Sequence, residues 1–456
     1  MGNFDWSSRD ISIFALFNWH PSRRALFTNE PRRCVSTVST DYISFLFMVS
    51  SNTQKLAKSS QSSAVPMHLM ERLFVRLLRS LHSGSLRIEF PSGAVCVVGE
   101  SALVQVDMKI LQARFFSQVL CGGSVGLGES YVQGLWTTSD LSAVLRLFAC
   151  NQQNVGGLRK GFSYLSQLRN RFGHLSRRNT RSKSRQNIQD HYDLSNSFYQ
   201  LFLDPSMTYS SALFRHYHDD LEKAQFNKID RMLDLSEIQE GEHLLEIGTG
   251  WGALALRAAQ RGYEVTTITL SKEQFVFAKE RFEKAGVSDM IELRLQDYRD
   301  LEGQFDGIVS CEMIEAVGKE YLPSYFNTIR NCLRPGAHAV LQAITISDDR
   351  YDHYCRSCDW IQKYIFPGGH LPSLGAVTDH VLAAGDTKVV HVDSFGRHYA
   401  ETLRRWSCSF NNRLAQLQSL GFDETFQRKW NYYLSYCEAG FDADLIDVKH
   451  IVITRS

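Results

Sequence analysis

The run Leu244-Leu-Glu-Ile-Gly-Thr-Gly-Trp-Gly252 puts three glycines at alternate positions between an apolar run and a helix-forming segment. Glycine lets backbone approach a ligand and adopt positive φ without steric cost, so Gly248, Gly250 and Gly252 mark a turn suited to a small molecule. A dinucleotide site would space its glycines G-x-G-x-x-G and seat a pyrophosphate on the helix that follows. Here the spacing is G-x-G-x-G, and Glu246 stands two residues ahead of the first glycine. A carboxylate there opposes a phosphate and favours a ligand carrying ammonium and sulfonium charges. A purely structural turn is the alternative, and the rest of the chain has to decide between them.

The elements that would position this turn come from residue 221 onward, where strand and helix patterns alternate as βαβ units. Strands are expected at His243–Ile247, 264–270, Ile291–Leu295, 307–309 and 337–346, with helices at Ala253–Gln260 and 273–285. The fold class is α/β, a doubly wound, mostly parallel sheet with a smaller N-terminal α+β domain. Ligands of such sheets bind beyond the carboxyl ends of the strands. Thr269, Leu270 and Gln274 follow the second strand, where a ribose would lie. Asp297 follows the third, placed to accept from an adenine amino group, with Tyr298 beside it either as pocket wall or as packing.

Four stretches divide the chain. Residues 1–66 have no sustained period, and Arg23, Arg24, Arg32 and Arg33 with few acids suit a targeting segment. A start at Met67 or Met70 is the preferred reading. Residues 67–150 read as the small domain. It has a helix with Leu73, Leu77, Leu78 and Leu81 on one face, strands at 86–90 and 94–98 about Pro91-Ser-Gly93, then a strand and helices broken at Gly122-Gly123. Residues 151–186 form a basic linker, with no Asp or Glu between Arg159 and Arg185 and with Phe162, Tyr164, Leu165, Leu168 and Phe172 interleaved. That mixture suits an anionic lipid surface at ~1 kcal/mol per basic group; a solvated tether is the alternative. Residues 187–456 form the catalytic domain.

Composition sets outer limits. At 456 residues and 43% hydrophobic the chain can bury two cores, and a net charge of +1 gives no global pull toward nucleic acid. No nucleic-acid partner is expected, and a homodimer is compatible with the sequence. The longest apolar candidate, 42–49, is far short of the ~20 residues a membrane helix needs. Ten cysteines without regular spacing suit reduced thiols in the cytoplasm, and Cys355 and Cys358 lack a second pair for zinc.

The chain resembles the cyclopropane-fatty-acyl-phospholipid synthase family of class I S-adenosylmethionine-dependent methyltransferases. The motifs are His191-Tyr-Asp-Leu-Ser-Asn-Ser-Phe-Tyr199, Leu203-Asp-Pro-Ser-Met-Thr-Tyr-Ser-Ser211, the glycine turn, Leu295-Gln-Asp-Tyr-Arg-Asp-Leu301, Tyr364-Ile-Phe-Pro-Gly-Gly369 and Phe395-Gly-Arg-His-Tyr399. The resemblance implies S-adenosylmethionine bound by Tyr209, Ser210, the glycine turn, Thr269, Leu270, Gln274, Asp297 and Tyr298, beside an acyl tunnel. It implies an unsaturated phospholipid substrate, a peripheral membrane location and a small domain associated with lipid. In the family's chemistry an alkene attacks the sulfonium methyl, and a bound bicarbonate takes a proton from the resulting cation. The resemblance assigns that bicarbonate to Glu315, Tyr399 and the backbone of Ser211 and Ile344, with Gln342 at the place of a histidine.

Three positions depart from the pattern: Ala316 for His, Gln342 for His, and Ser211 for Cys. Glutamine can donate to an anion but cannot carry a proton near neutral pH. A bicarbonate site, a cyclopropane product and a methylene- or methyl-branched product therefore all stay open. A small-molecule N-methyltransferase shares the core motifs, and a non-catalytic cofactor or lipid sensor is a further alternative. The stripe Phe426, Trp430, Tyr433 and Phe441 reads as core rather than as a cation-stabilising wall.

Overall fold

A computed structural model describes residues 67–100, 105–152, 194–216 and 218–456. Residues 1–66, the basic linker between Arg159 and Arg185, and His191 to Asp193 of the first motif lie outside the described residues.

The small N-terminal part holds α1 (Leu69–Leu78), β1 (Ser85–Glu89), β2 (Val95–Gly99), β3 (Gln105–Ile110), α2 (Arg114–Val132), β4 (Trp136–Thr137) and α3 (Leu141–Cys150). Its sheet runs β2-β1-β3-β4, with β1 parallel to β3 and antiparallel to β2. The α1 face departs from expectation at Leu73, while Leu78 and Leu81 are buried as expected. Phe74, Val75 and Leu78 are buried, whereas Leu73 is 42% exposed. Glu71 explains the rotation: it closes a capping box with His68 and accepts from Ser92 Oγ at 2.9 Å, so its side of the helix turns inward. Helix α2 is broken where expected, with Gly123 at φ +56° and ψ −134°.

The larger part contributes α4 (Leu221–Leu235), β5 (His243–Ile247), α5 (Ala253–Gln260), β6 (Glu264–Thr269), α6 (Lys272–Ala285), β7 (Ile291–Leu295), β8 (Phe305–Cys311), α7 (Leu322–Cys332), β9 (Leu333–Ile346), α8 (Leu374–Ala383), β10 (Thr387–Ser394), α9 (Gly396–Asn411), α10 (Glu424–Asp442) and β11 (Ile446–Arg455). Its seven strands run β10-β11-β9-β8-β5-β6-β7. Strands β7, β6, β5, β8 and β9 are mutually parallel, and β11 is antiparallel to both its neighbours. Side chains that cap helices fix where several of them start, as when Ser271 Oγ accepts from Gln274 N at the head of α6 and Asp220 from Lys223 N at the head of α4. Strand β8 is longer than expected because buried Phe305 and Ser310 extend its inward-facing run at both ends.

The two parts share apolar packing. Val125 and Leu145 from the first join Trp360, Trp430 and Tyr432 from the second in one cluster, which also contains Tyr433 and Phe441 of α10. A Cβ at Gly128 of α2 would lie 2.5 Å from the Trp360 ring, so glycine permits the close approach. Glu129 accepts from Lys363 Nζ at 2.6 Å and Tyr364 Oη at 2.5 Å, and Ser142 Oγ donates to Glu438 at 2.6 Å. No helix among the described residues is long and apolar enough to cross a membrane.

Candidate active site

The glycine turn leaves the carboxyl end of β5 with Gly248, Gly250 and Gly252 at φ +106°, +52° and +85°. Their reasons differ. A Cβ at Gly252 would meet Phe282 of α6 at 2.8 Å, so that glycine serves helix packing. A Cβ at Gly250 would stand in open space, which is the cradle a nucleoside needs. Two more segments brace the turn. Asn196, in the first motif, accepts from the Trp251 indole at 2.8 Å, and Arg281 donates to the carbonyls of Ser206 and Trp251 at 2.8 and 3.0 Å. Arg281 is a contributor that the sequence reading missed, since its reach across from α6 depends on tertiary structure.

Thr269, Leu270 and Gln274 lie at the end of β6 and the head of α6, with the Thr269 hydroxyl donating to Gln274 Oε1 at 3.0 Å. Together with the turn they form a strand-end surface that fits S-adenosylmethionine. Four residues assigned to the cofactor have partners within the protein itself. Glu246 is 2% exposed, accepts from Thr267 Oγ1 at 2.5 Å, and is pushed up to about 8 by burial. It lies beneath the turn as a neutral acid rather than as an open carboxylate. The Ser210 hydroxyl points inward, accepting from Lys228 Nζ at 2.6 Å. Asp297 is gripped by Arg299 through Nε and Nη2 at 2.8 and 2.6 Å. Tyr298 packs edge-on to Tyr325 in the core below, which is the packing reading. Tyr209 faces the cavity described next, its hydroxyl paired with that of Tyr433 at 2.8 Å.

A cavity of about 1010 Å³ adjoins the strand ends, lined at one end by Glu312, Glu315, Ile344 and Tyr399 and at the other by Phe74, Leu78, Val119 and Phe148 of the small part. Of the five residues proposed for catalysis, Glu315, Ile344 and Tyr399 line it, and Ser211 and Gln342 are buried behind that lining. They gather around a residue the sequence reading passed over, Glu312. Its Oε1 accepts from the Ser211 backbone N–H at 2.9 Å and from Gln342 Nε2 at 2.7 Å, and its Oε2 accepts from the Tyr399 hydroxyl at 2.8 Å. Glu312 follows β8 directly and holds φ +49°, a left-handed conformation that costs a non-glycine residue ~1–2 kcal/mol. The available signal was two carboxylates three residues apart just past a strand, in Glu312-Met-Ile-Glu315.

Gln342 keeps one orientation because His450, its register partner on β11, stands 3.0 Å from Oε1. Burial holds the His450 imidazole down at about 3, so it stays neutral, and its Nε2-protonated tautomer is the one that donates to Gln342 Oε1. The Gln342 amide is thereby forced to donate toward Glu312. The second carboxylate, Glu315, accepts from the Ile344 N–H at 2.5 Å, while its Oε2 has no partner. Burial, and then repulsion from Glu312, push Glu315 up to about 8. Burial also raises Glu312, but Lys228 and its three donors oppose that rise. Of two adjacent acids the one with more donors ionises first. Lys228 and the three donors favour the ionised form at Glu312, whereas burial and repulsion from Glu312 favour the neutral form at Glu315.

This geometry disagrees with a separate bicarbonate. The Ser211 amide and the Tyr399 hydroxyl hold Glu312, and the Ile344 amide holds Glu315. The donors expected to hold that anion are already engaged by side chains of the chain itself.

The fold and the cradle together define a class I S-adenosylmethionine-dependent methyltransferase. The model of the mycolic acid cyclopropane synthetase family matches residues 179–451. The chain belongs to that family, which includes the cyclopropane-fatty-acyl-phospholipid synthases. It is 42% identical to the tuberculostearic acid methyltransferase UfaA1 of Mycobacterium tuberculosis over 73% of this chain and 79% of that one. It is 34% identical to the cyclopropane-fatty-acyl-phospholipid synthase of Escherichia coli strain K12 over 76% of this chain and 88% of that one. The solved structure of the mycolic acid cyclopropane synthase CmaA1, complexed with SAH and CTAB, is 31% identical with a TM-score of 0.56, covering 59% of this chain and 98% of that one. The chain is an S-adenosylmethionine-dependent enzyme of lipid-chain modification.

Proposed function

We propose that the enzyme adds one carbon to the double bond of an unsaturated phospholipid acyl chain, and that Glu312 takes the proton released. The observation that carries this is the Glu312 carboxylate, held by three donors at the polar end of a long apolar cavity. The Cβ and Cγ of Met313, the next residue, lie 3.5 Å from where a Cβ of Gly248 would stand, so carboxylate and cofactor cradle adjoin.

S-adenosylmethionine, when bound, supplies the methyl group from its sulfonium. The glycine turn holds the nucleoside end, and the cavity holds the acyl chain so that its alkene meets that methyl. Once the alkene has taken the methyl, the positive charge sits on the chain between Tyr209, Tyr399, Tyr433 and Phe441. Aromatic faces stabilise a desolvated cation by ~2 kcal/mol. A 1,2-hydride shift from the methyl-bearing carbon moves the charge onto that carbon, and Glu312 then accepts a proton from the added methyl, giving the exocyclic methylene and a neutral acid; loss of that proton before the shift would close a ring instead. Tyr399 stays protonated, because burial and Glu312 push its hydroxyl well above the ordinary range, and serves to aim the carboxylate.

The product we favour is a methylene branch rather than a ring. Identity to the tuberculostearic acid methyltransferase is 42%, against 34% to the cyclopropane synthase, and a tethered base replaces the mobile bicarbonate of the ring-forming chemistry. The test is mass spectrometry and proton NMR of acyl chains after incubation with S-adenosylmethionine and dioleoyl phospholipid vesicles. A gain of one CH2 with exocyclic methylene protons supports the reading. Upfield ring protons would overturn the branched product, and absence of any mass gain would overturn lipid alkylation. The cytoplasmic, membrane-peripheral location belongs to the same proposal, and vesicle co-sedimentation tests it.

A further inference from the structure

We infer that Lys228 is a positioning residue that keeps Glu312 in its ionised, proton-accepting form by binding both chain segments that build the site. Lys228 lies on α4 and is 1% exposed. Its Nζ donates to Ser210 Oγ at 2.6 Å and stands 3.4 Å from Cys311 Sγ, while Cys311 Sγ lies 3.3 Å from the same Ser210 oxygen. Ser210 immediately precedes Ser211, whose N–H holds Glu312, and Cys311 immediately precedes Glu312 itself. The ammonium therefore fastens the donor segment to the acceptor segment one residue away from their hydrogen bond.

Among the described residues no carboxylate oxygen forms an ion pair with Lys228, so its charge is not spent on a direct partner. A buried charge without a contact counter-ion is costly, and its field acts on the ionisable groups packed around it. The groups within that field are Glu312 and Cys311 at the end of β8, Glu246 on β5, Asp204 in the loop before Ser206, and His450 on β11. Around Glu312 the other facing groups are Glu315, which repels it, and the Tyr399 hydroxyl. Lys228 is the cation that opposes burial of the Glu312 carboxylate, and the positive charge it places in the site is matched by that carboxylate. The inference rests on the reading of Glu312 as base.

The test is the pH profile of Lys228→Met in the full chain, with Lys228→Arg as the charge-restoring control. The acidic limb of kcat should move up by at least about one pH unit. Turnover at pH 7 should then fall about tenfold and recover by pH 9. The dissociation constant for S-adenosylmethionine should change less than threefold, and Lys228→Arg should bring the limb back. A loss of equal size at every pH would overturn the inference and leave Lys228 a packing residue. Infrared difference spectroscopy of the wild-type chain against Glu312→Gln reads the ionisation directly, even should Lys228→Met fail to fold or lipid turnover prove absent. An ionised carboxylate band at pH 7 supports the inference, and a protonated carboxyl band overturns it.

Discussion

Glu312 and Glu315 are chemically alike and three residues apart, yet their surroundings divide the work between them. Three donors converge on the first, and the second keeps an oxygen without a partner. Glu312→Gln should lower kcat by about 10²–10⁴-fold, the range a positioned base contributes, while leaving S-adenosylmethionine affinity near normal by calorimetry. Added bicarbonate should not restore it, and carbon-dioxide-free buffer should not slow the wild type. A second outcome concerns Glu246, whose folded value of about 8 lies above that of an unfolded carboxyl. The folded state then binds more protons than the unfolded one between about pH 4.5 and 8, so stability falls as pH rises through that window. Glu246→Gln should flatten this dependence, and Tm of the cofactor-free protein at pH 5.5 and 8 checks it. Ser211 and Tyr399 stand in motifs that can be quoted from the sequence, and Glu315, Gln342 and Ile344 came only from what the resemblance implies. Glu312 was not legible, because its role comes from a left-handed turn and three donors drawn from distant segments. The inward rotation of Ser210 and Tyr298 was hidden for the same reason.

At the scale of elements, the α/β alternation read from the sequence gave His243–Ile247, Ala253–Gln260 and Ile291–Leu295 with their observed bounds. Of these, His243–Ile247 is an almost wholly buried run ended by a glycine turn, which leaves few alternatives. The N-terminal helix was harder, since leucine spacing pointed to Leu73, and the capping box of Glu71 with its bond to Ser92 selects another face. The break in α2 has a consequence for substrate choice. Gly122 and Gly123 line the cavity, and a Cβ on either would meet nothing within 4 Å, so the break leaves room there for the acyl chain. Gly122→Leu should cut kcat/KM for an 18-carbon chain about tenfold or more while sparing 14-carbon chains. Competition between vesicles of the two lipids measures the shift, and an equal loss for both would show that the break does not set depth.

At the scale of the molecule, the small part and the catalytic part build one cavity between them. Gly128 packs under the Trp360 ring, where a side chain would clash. Gly128→Leu should separate α2 from that ring, abolish turnover on vesicles, and leave S-adenosylmethionine binding intact, since the glycine turn, Thr269 and Gln274 all belong to the larger part. Loss of cofactor affinity in that variant would mean the two parts are not independent in this respect. A cavity with apolar walls from both parts also shapes the timing of the catalytic cycle. While an acyl chain occupies it, the chain serves as a piece of hydrophobic core joining Phe74 and Leu78 to Ile344 and Tyr399. A one-carbon branch enlarges that piece, and the product leaves only when those contacts are surrendered. Departure of the modified lipid is then expected to be slower than departure of unreacted substrate, while the proton-removal step still sets kcat.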